Sequence, residues 1–291
     1  MTEDSTGEAL TTVRFANVTV RLALHGTRAV RIGRFLFRHA TRSRHPPDVT
    51  VRLTEGETGS AVQFQVDVDR AVCFRGTSDA MAAIALLDEV AHQIADRSRS
   101  GLVLHGGAVA GPDGAVLLPG ASGAGKTTLT AWLIAHGWRY LTDELAFVAT
   151  GLAVVHGLAR PLHLKQLAIP AVRAFADLDA RADADDTLET PSSLLVQPSR
   201  LSGDTPAGPT RIDRLVFPRY QPGADDALTR LSPAEAGLRL MACLINARNL
   251  DGDGFPAATR LARQCPAYEL RYGHFSQLNA WRRPKRPFAR A

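Results

Sequence analysis

Apolar and polar positions alternate along three stretches of the first hundred residues, which is the period of strands that bury one face. The three stretches are VRFANVTVRLAL (13–24), DVTVRL (48–53) and VQFQVDVDRAVCF (62–74). The segment RSRHPPD (42–48) predicts a loop, because consecutive prolines remove backbone donors. From Ser78 or Asp79 to about Arg97, apolar residues recur instead on one helical face. We therefore predict a smaller, β-rich α+β domain with one helix over residues 1–100, with a role in docking or assembly.

Beyond residue 100, short apolar runs alternate with helical patterns, which is typical of an α/β domain. The apolar runs are LVLHGGAVA (102–110), AVLLPG (115–120), WRYLTDELAFV (138–148), IDRLVFPRY (212–220) and AYELRY (267–272). Helices are predicted over TTLTAWLIAHG (127–137), from a capping box at Ser232 to about Asn246, near 256–264 and near 274–282. The segment 177–210 is rich in Asp, Ala, Pro and Ser, which indicates a long mobile loop. We expect this α/β domain to span 101–281, followed by a basic, disordered tail over 282–291.

The composition is that of a globular protein with a sizeable core, since 45% of the residues are hydrophobic and 22% are charged. No apolar run approaches the roughly 20 residues that span a bilayer. The N-terminus, MTEDSTGEAL, lacks the pattern of a signal peptide. We therefore expect a cytoplasmic protein with no membrane partner. The net charge of +5 reflects arginines in the tail and over 28–44. No recognised nucleic-acid motif accompanies either stretch, so nucleic acid is not the expected partner.

Residues 120–127 match the pattern G-x-x-x-x-G-K-[ST], the P-loop that binds nucleoside triphosphates. The pattern comprises Gly120, Ala121, Ser122, Gly123, Ala124, Gly125, Lys126 and Thr127, and Thr128 follows in the predicted helix. Glycines let successive backbone N–H groups surround an anion, and the following helix adds its positive end. Lys126 would reach the β- and γ-phosphates, and the hydroxyl of Thr127 is a natural Mg²⁺ ligand. The motif does not distinguish ATP from GTP.

Two adjacent carboxylates, Asp143 and Glu144, interrupt the apolar run that follows this helix. Such a pair is costly to bury unless it meets a metal or a cation. Adjacent strand residues point to opposite faces, so one carboxylate is expected to face the phosphate. His105 lies on the strand before the P-loop, where either a core residue or a functional one is expected. Lys165 is one of only three lysines, and it is either a second phosphate contact or a surface residue.

Four segments in this order resemble the HPr kinase/phosphorylase family, and more closely its branch of HPr-kinase-related kinases. They are LHGGAVA (104–110), LLPGASGAGKTTLTAWLIAHGWRYLTDELAFV (117–148), ARPLHLK (159–165) and VFPRY (216–220). The resemblance covers roughly residues 100–281. It implies an ATP-dependent serine protein kinase with a P-loop kinase core of the HPr kinase and phosphoenolpyruvate carboxykinase type. It also suggests a homo-oligomer.

The resemblance further implies roles for individual residues. The family's histidine-glycine pair falls on His105 and Gly106, and its acidic pair falls on Asp143 and Glu144. Asp143 takes the position of the general base, Glu144 would support Mg²⁺ or its waters, and His105 would orient or charge the base. Well-studied members carry two aspartates at the acidic pair. Their segment associated with the reverse reaction is not found in this chain, so phosphorylase activity is not expected.

Three cations in the matched segments, Arg160, Lys165 and Arg219, are candidates to neutralise the transferring phosphoryl group or to form structural ion pairs. Together these features predict an ATP- and Mg²⁺-dependent kinase that phosphorylates a hydroxyl, the serine of a small protein or peptide. Two alternatives stay open from the sequence. One is a kinase of a small metabolite, and the other is a P-loop switch that only hydrolyses nucleotide slowly.

Overall fold

The computed structural model of the protein is a mixed α/β structure. It describes residues 2–4, 8–58, 61–178, 186–202 and 206–281. In these ranges the strands form three sheets, of six, eight and three strands. No helix among the described residues is both long and apolar enough to cross a membrane. The predicted tail over 282–291 lies outside the described residues.

The first sheet takes its strands in chain order. They are β1 (Thr2–Asp4), β2 (Glu8–Phe15), β3 (Val18–His25), β4 (Val49–Thr58), β5 (Ala61–Val68) and β6 (Ala71–Gly76). Neighbours are antiparallel except β3 and β4, which are parallel and are connected through helix α1 (Thr27–Leu36). Helix α2 (Asp79–Arg97) contacts β3, β4 and α1. Its N-cap is Ser78, as predicted, because the Ser78 hydroxyl accepts a hydrogen bond from the N–H of Met81.

Two details of this region differ from the prediction. The predicted strands over 13–24 and 62–74 are each a hairpin, whose turns at 16–17 and 69–70 have positive φ values. Two-residue turns of this kind follow the twist of the strands, and alternation continues through them, which hides the turn in the sequence. The region also has two helices rather than one. Helix α1 lies inside the arginine-rich stretch, with Arg31 and Arg34 exposed and the intervening apolar side chains buried.

The strands after α2 are β7 (Gly101–Gly111), β8 (Gly114–Pro119), β9 (Arg139–Thr142), β10 (Leu145–Ala149), β11 (Val154–Gly157), β12 (Leu162–Lys165), β13 (Thr187–Thr190), β14 (Ser193–Val196), β15 (Thr210–Tyr220), β16 (Ala227–Leu231) and β17 (Ala267–Tyr272). The helices are α3 (Lys126–Ala135), α4 (Ile169–Arg173), α5 (Ser199–Ser202), α6 (Pro233–Cys243) and α7 (Phe255–Gln264). Helix α6 begins with the predicted capping box, formed by Ser232 and Glu235. The last predicted helix is a 3₁₀ helix, Phe275–Trp281.

The second sheet has the order β11-β10-β7-β8-β15-β17-β16, and β9 pairs with β7 beside β10. Strands β8, β15 and β17 are parallel neighbours. Their carboxyl ends therefore meet at one edge of the sheet, where ligands bind in open α/β sheets. Strand β7 is antiparallel to β8 on one side and to β9 and β10 on the other.

A third sheet has the order β12-β14-β13, and two of its strands, β13 and β14, lie in the segment 177–210 that is predicted to be a mobile loop. That prediction is wrong for residues 187–202, where β13, β14 and α5 form. Leu195 and Val196 of β14 are fully buried, so three consecutive apolar residues in a polar context were enough to make a strand. Residues 179–185 and 203–205 of the predicted loop lie outside the described residues.

The first and second sheets share a hydrophobic core. Val103, Leu145 and Phe147 of the second sheet pack in the cluster that also contains the buried residues of β3, β4 and α2. Asn246 strengthens this junction from a fully buried position. Its side chain accepts a hydrogen bond from the N–H of Val103 and donates to the carbonyls of Ser98 and Gly101. Helix α2 is therefore fixed next to β7 and β10.

Candidate functional site

The P-loop connects the carboxyl end of β8 to the first turn of α3, at the edge where the three parallel strands end. Gly123 and Gly125 have φ values of +86° and +89°, which a side chain would strain. A Cβ at Gly125 would also come within 2.6 Å of the Tyr272 hydroxyl. The loop is thus held against the ends of β15 and β17, since the N–H of Tyr220 also donates to the carbonyl of Ala124.

Lys126 is almost buried, at 5% exposure, and its ammonium group points to the inside of the loop. Nζ donates to the carbonyl of Ala121 at 2.9 Å and lies 2.8 Å from Nε2 of His105. Burial lowers the pKa of Lys126, and the charge of Glu144 opposes that shift. The loop therefore positions a desolvated cation where P-loops hold phosphate oxygens.

Asp143 and Glu144 lie between β9 and β10. Leu145 pairs with His105 and Thr142 with Ala108, which places the two acids opposite the glycines of the histidine-glycine-glycine segment. The N–H of Gly106 still donates to the carbonyl of Glu144. The strand predicted over 138–148 is therefore two strands, β9 and β10, separated by a bend at 143–144. The two carboxylates face different surroundings because of this bend, not because residues of one strand alternate.

Glu144 faces the P-loop side. Its Oε1 is 2.8 Å from Nδ1 of His105 and its Oε2 is 3.2 Å from Nη2 of Arg160, while about a third of the side chain (32%) remains exposed. Burial alone would raise the pKa of Glu144, but the hydrogen bond from His105 and the charge of Arg160 outweigh it and lower the pKa to about 2. With Nδ1 of His105 donating to Glu144, Nε2 accepts from Lys126. A hydrogen-bonded chain therefore connects Lys126 to Glu144 through His105.

Asp143 faces the interior and has no exposed surface. The Tyr140 hydroxyl donates to its Oδ1 at 3.0 Å, Nε of Arg160 lies 3.3 Å from the same oxygen, and the N–H of His163 donates to Oδ2 at 3.4 Å. Arg160 is itself buried, and although burial would lower its pKa, the two carboxylates hold that pKa above its ordinary value. This geometry argues against the sequence-based assignment of Asp143 as general base, because a general base must reach the proton it takes.

The remaining predicted residues lie around the loop. Thr127 and Thr128 are half-buried in the first turn of α3. Lys165, at the end of β12, is exposed, and its Nζ donates to the Ser122 hydroxyl at 3.2 Å. Arg219 is exposed next to Tyr220 at the carboxyl end of β15, and it forms no hydrogen bond or ion pair with a described residue. The structure therefore brings Lys165 and Arg160 to the site and leaves Arg219 at its margin.

The donor set fits Mg²⁺ that arrives with a nucleotide. Among the described residues, no group of three or more His, Cys, Asp or Glu side chains could hold a metal unaided. Mg²⁺ is commonly bound by one or two carboxylates, phosphate oxygens and waters. The Thr127 hydroxyl and the partly exposed Glu144 carboxylate are side chains of that kind.

A groove of about 600 Å³ opens on the far side of Glu144. Its base contains His105, Glu144 and Arg160, one wall is α2, and the other wall is formed by residues 245–248. The sequence analysis did not identify this groove or Tyr140. The residues that line the groove are far apart in the sequence, and only the packing of α2 against the second sheet brings them together.

No protein-family model matches the chain. No curated protein matches it either.

Proposed function

We propose that the protein is an ATP- and Mg²⁺-dependent kinase that transfers the γ-phosphate to a hydroxyl, the serine of a small protein or peptide. The core would be of the HPr kinase and phosphoenolpyruvate carboxykinase type. The observation that carries this proposal is the hydrogen-bonded chain from Lys126 through His105 to Glu144. It joins a phosphate-binding loop to a carboxylate that borders a groove, so a donor position and an acceptor position adjoin each other.

The loop would provide the donor half of the site. Its backbone N–H groups and the N-terminus of α3 favour negative charge, and Lys126 would contact the β- and γ-phosphates. Mg²⁺ bound to the nucleotide would neutralise charge on these phosphates, with Thr127 and Glu144 as the residues that hold it. Lys165, which already contacts Ser122 of the loop, lies where it could bind an outer phosphate oxygen.

Glu144 rather than Asp143 would face the acceptor. The acceptor oxygen forms a bond to the γ-phosphorus, the bond to the bridging oxygen of ADP breaks, and the hydroxyl proton passes to Glu144. Phosphoryl transfer depends mainly on positioning and charge stabilisation, so the low pKa of Glu144 suits a group that orients the hydroxyl. Asp143 would act indirectly, by holding Arg160 against Glu144.

The proposal can be tested by incubating the purified protein with a host lysate, Mg²⁺ and ATP labelled on the γ-phosphate. The matched control is the Lys126→Ala variant, which identifies label contributed by other kinases. Label that appears on a small polypeptide only with the wild-type protein supports the proposal. Label on a low-mass compound would instead indicate a metabolite kinase. Free phosphate alone would indicate a nucleotide-hydrolysing switch.

A further inference from the structure

The groove beside Glu144 is bounded by two parts of the chain that do not belong to the P-loop. Ala91 and Ala95 lie one turn apart on α2 and form the apolar part of that wall, which also contains Asp88, His92 and Asp96. Ile245, which is 42% exposed, lines the opposite wall. The volume of about 600 Å³ is in the range of ligand-binding clefts. Helix α2 therefore contributes half of a cleft whose base is the proposed acceptor side of the site.

The length of the groove suits a short stretch of polypeptide. Asp88 and Asp96, which mark the two ends of the α2 wall, are eight residues apart on one helix. At 1.5 Å per residue their separation along the axis is about 12 Å. An extended chain covers that distance in about three to four residues.

The two aspartates differ in what they contact. Asp96 is already paired, because it binds Nη2 of Arg248 and lies 3.0 Å from Nε2 of His92. Asp88 forms no hydrogen bond or ion pair with any residue that the structure describes. Desolvation raises the pKa of Asp88 above its ordinary value, Arg160 and His163 oppose that shift, and Glu144 adds to it. Asp88 is thus a carboxylate at the groove whose charge lacks a direct partner.

Building on the proposed function, we infer that Asp88 binds a cationic side chain of the acceptor, a lysine or arginine within about two residues of the phosphorylated serine. Asp88 is exposed to an incoming side chain, and a cation at this position would pair with its carboxylate and anchor the peptide while the serine hydroxyl reaches Glu144. Ala91, Ala95 and Ile245 provide apolar surface for the small or aliphatic residues in between. Asp88 would therefore determine which serine is phosphorylated, without contacting the reacting atoms.

Two synthetic peptides test this inference. One is the acetylated heptapeptide amide AKASAKA, in which a lysine lies two positions away from the serine on each side. The other replaces both lysines by norleucine, which has a similar length and no charge. Binding of fluorescein-labelled forms is measured by fluorescence anisotropy in the presence of Mg²⁺ and a non-hydrolysable ATP analogue. Phosphorylation of the unlabelled forms is measured separately with labelled ATP. The proteins compared are the wild type, Asp88→Asn and the matched control Asp69→Asn, which changes an exposed aspartate in the turn between β5 and β6.

We expect the wild type and Asp69→Asn to bind the lysine peptide about threefold more tightly than the norleucine peptide, because ion pairs of exposed carboxylates contribute roughly that much. Asp88→Asn should bind both peptides equally, with unchanged circular dichroism. The inference would be overturned if the wild type bound the two peptides equally, or if Asp88→Asn still preferred the lysine peptide. Selective binding without phosphorylation would keep the role of Asp88 and reject the kinase proposal. Phosphorylation of the peptides without selective binding would support the kinase proposal and reject the role of Asp88.

Discussion

The two sides of Glu144 are built in different ways. On the loop side, eight consecutive residues provide backbone donors, a buried lysine and a hydroxyl. On the groove side, the walls come from α2 and from residues 245–248, about 150 residues later in the chain. The loop side depends on local backbone geometry, whereas the groove side depends on how the first sheet packs against the second. We therefore expect substitutions on the loop side to affect chemistry, and substitutions at the junction to affect the cleft and stability.

The largest effect is expected for Lys126→Ala, on the loop side. The substitution removes a buried cation that would stabilise the transferring phosphoryl group, so transfer should fall about 1000-fold, the upper range for loss of one such contact. The assay is label transfer to the acceptor, with circular dichroism as the check on folding. Transfer within tenfold of the wild-type rate would show that the phosphates are held elsewhere.

The two neighbouring carboxylates offer the sharpest separation of chemistry from stability. Asp143→Asn leaves Arg160 buried with one carboxylate fewer, so the free energy of unfolding should fall by about 3 kcal/mol. Glu144→Gln also removes a partner of Arg160, but its side chain is 32% exposed, so the free energy of unfolding should fall by only about 1 kcal/mol, whereas transfer should fall at least 100-fold. Urea unfolding and label transfer give the two readouts.

The opposite pattern would restore the sequence-based assignment. If Asp143→Asn is as stable as the wild type and cannot transfer phosphate, while Glu144→Gln keeps transfer, then Asp143 is the general base. Binding of a fluorescent ATP analogue by both variants controls for damage to the loop.

The groove side should respond most to Asn246→Ala. This side chain makes three hydrogen bonds in a fully buried position between α2, β7 and the wall at 245–248. Removing it leaves two carbonyls and one N–H unpaired, so the free energy of unfolding should fall by about 2 kcal/mol. Binding of the fluorescent ATP analogue should stay near the wild-type value, because Asn246 makes its hydrogen bonds to Ser98, Gly101 and Val103 and none of these to the P-loop. Asn249→Ala, which loses only bonds to the carbonyls of Ala95 and Asp96 at a half-buried position, is the milder control.

The difference between the two sides also explains what could be read from the sequence. The P-loop, its flanking strand and helix, and the acid pair follow one another closely, and their chemistry requires particular residue types at fixed spacing. The different surroundings of Asp143 and Glu144 could not be predicted in this way. They depend on Tyr140, Arg160 and His163, which surround the Asp143 carboxylate only after the strands have paired.

The groove was beyond sequence reasoning for a related reason. Asp88 lies on the polar side of a helix that the sequence predicts correctly, and nothing in its neighbours distinguishes it from an ordinary solvated acid. The arginines of helix α1 fall at helical spacing, but its buried positions include Val30, Ile32 and Phe35, which are residue types that favour strands. For that reason the helix was missed. Strands β13 and β14 were missed because short apolar runs in a polar segment become strands only when β12 provides a partner.

The smallest effect is expected for Lys165→Ala, which tests where the loop side ends. Lys165 is exposed and contacts the loop only through the Ser122 hydroxyl, and exposed charges of this kind contribute little to stability. Its ammonium group can nevertheless stabilise an outer phosphate oxygen, so we expect a rise of a few fold in the KM for ATP at low salt, with unchanged unfolding. Screening should remove most of that rise at 0.5 M salt. Lys165→Arg should restore the wild-type KM, since it keeps the charge. If alanine and arginine variants behave alike, Lys165 does not contact the nucleotide, and the loop side consists of the P-loop, His105 and Glu144.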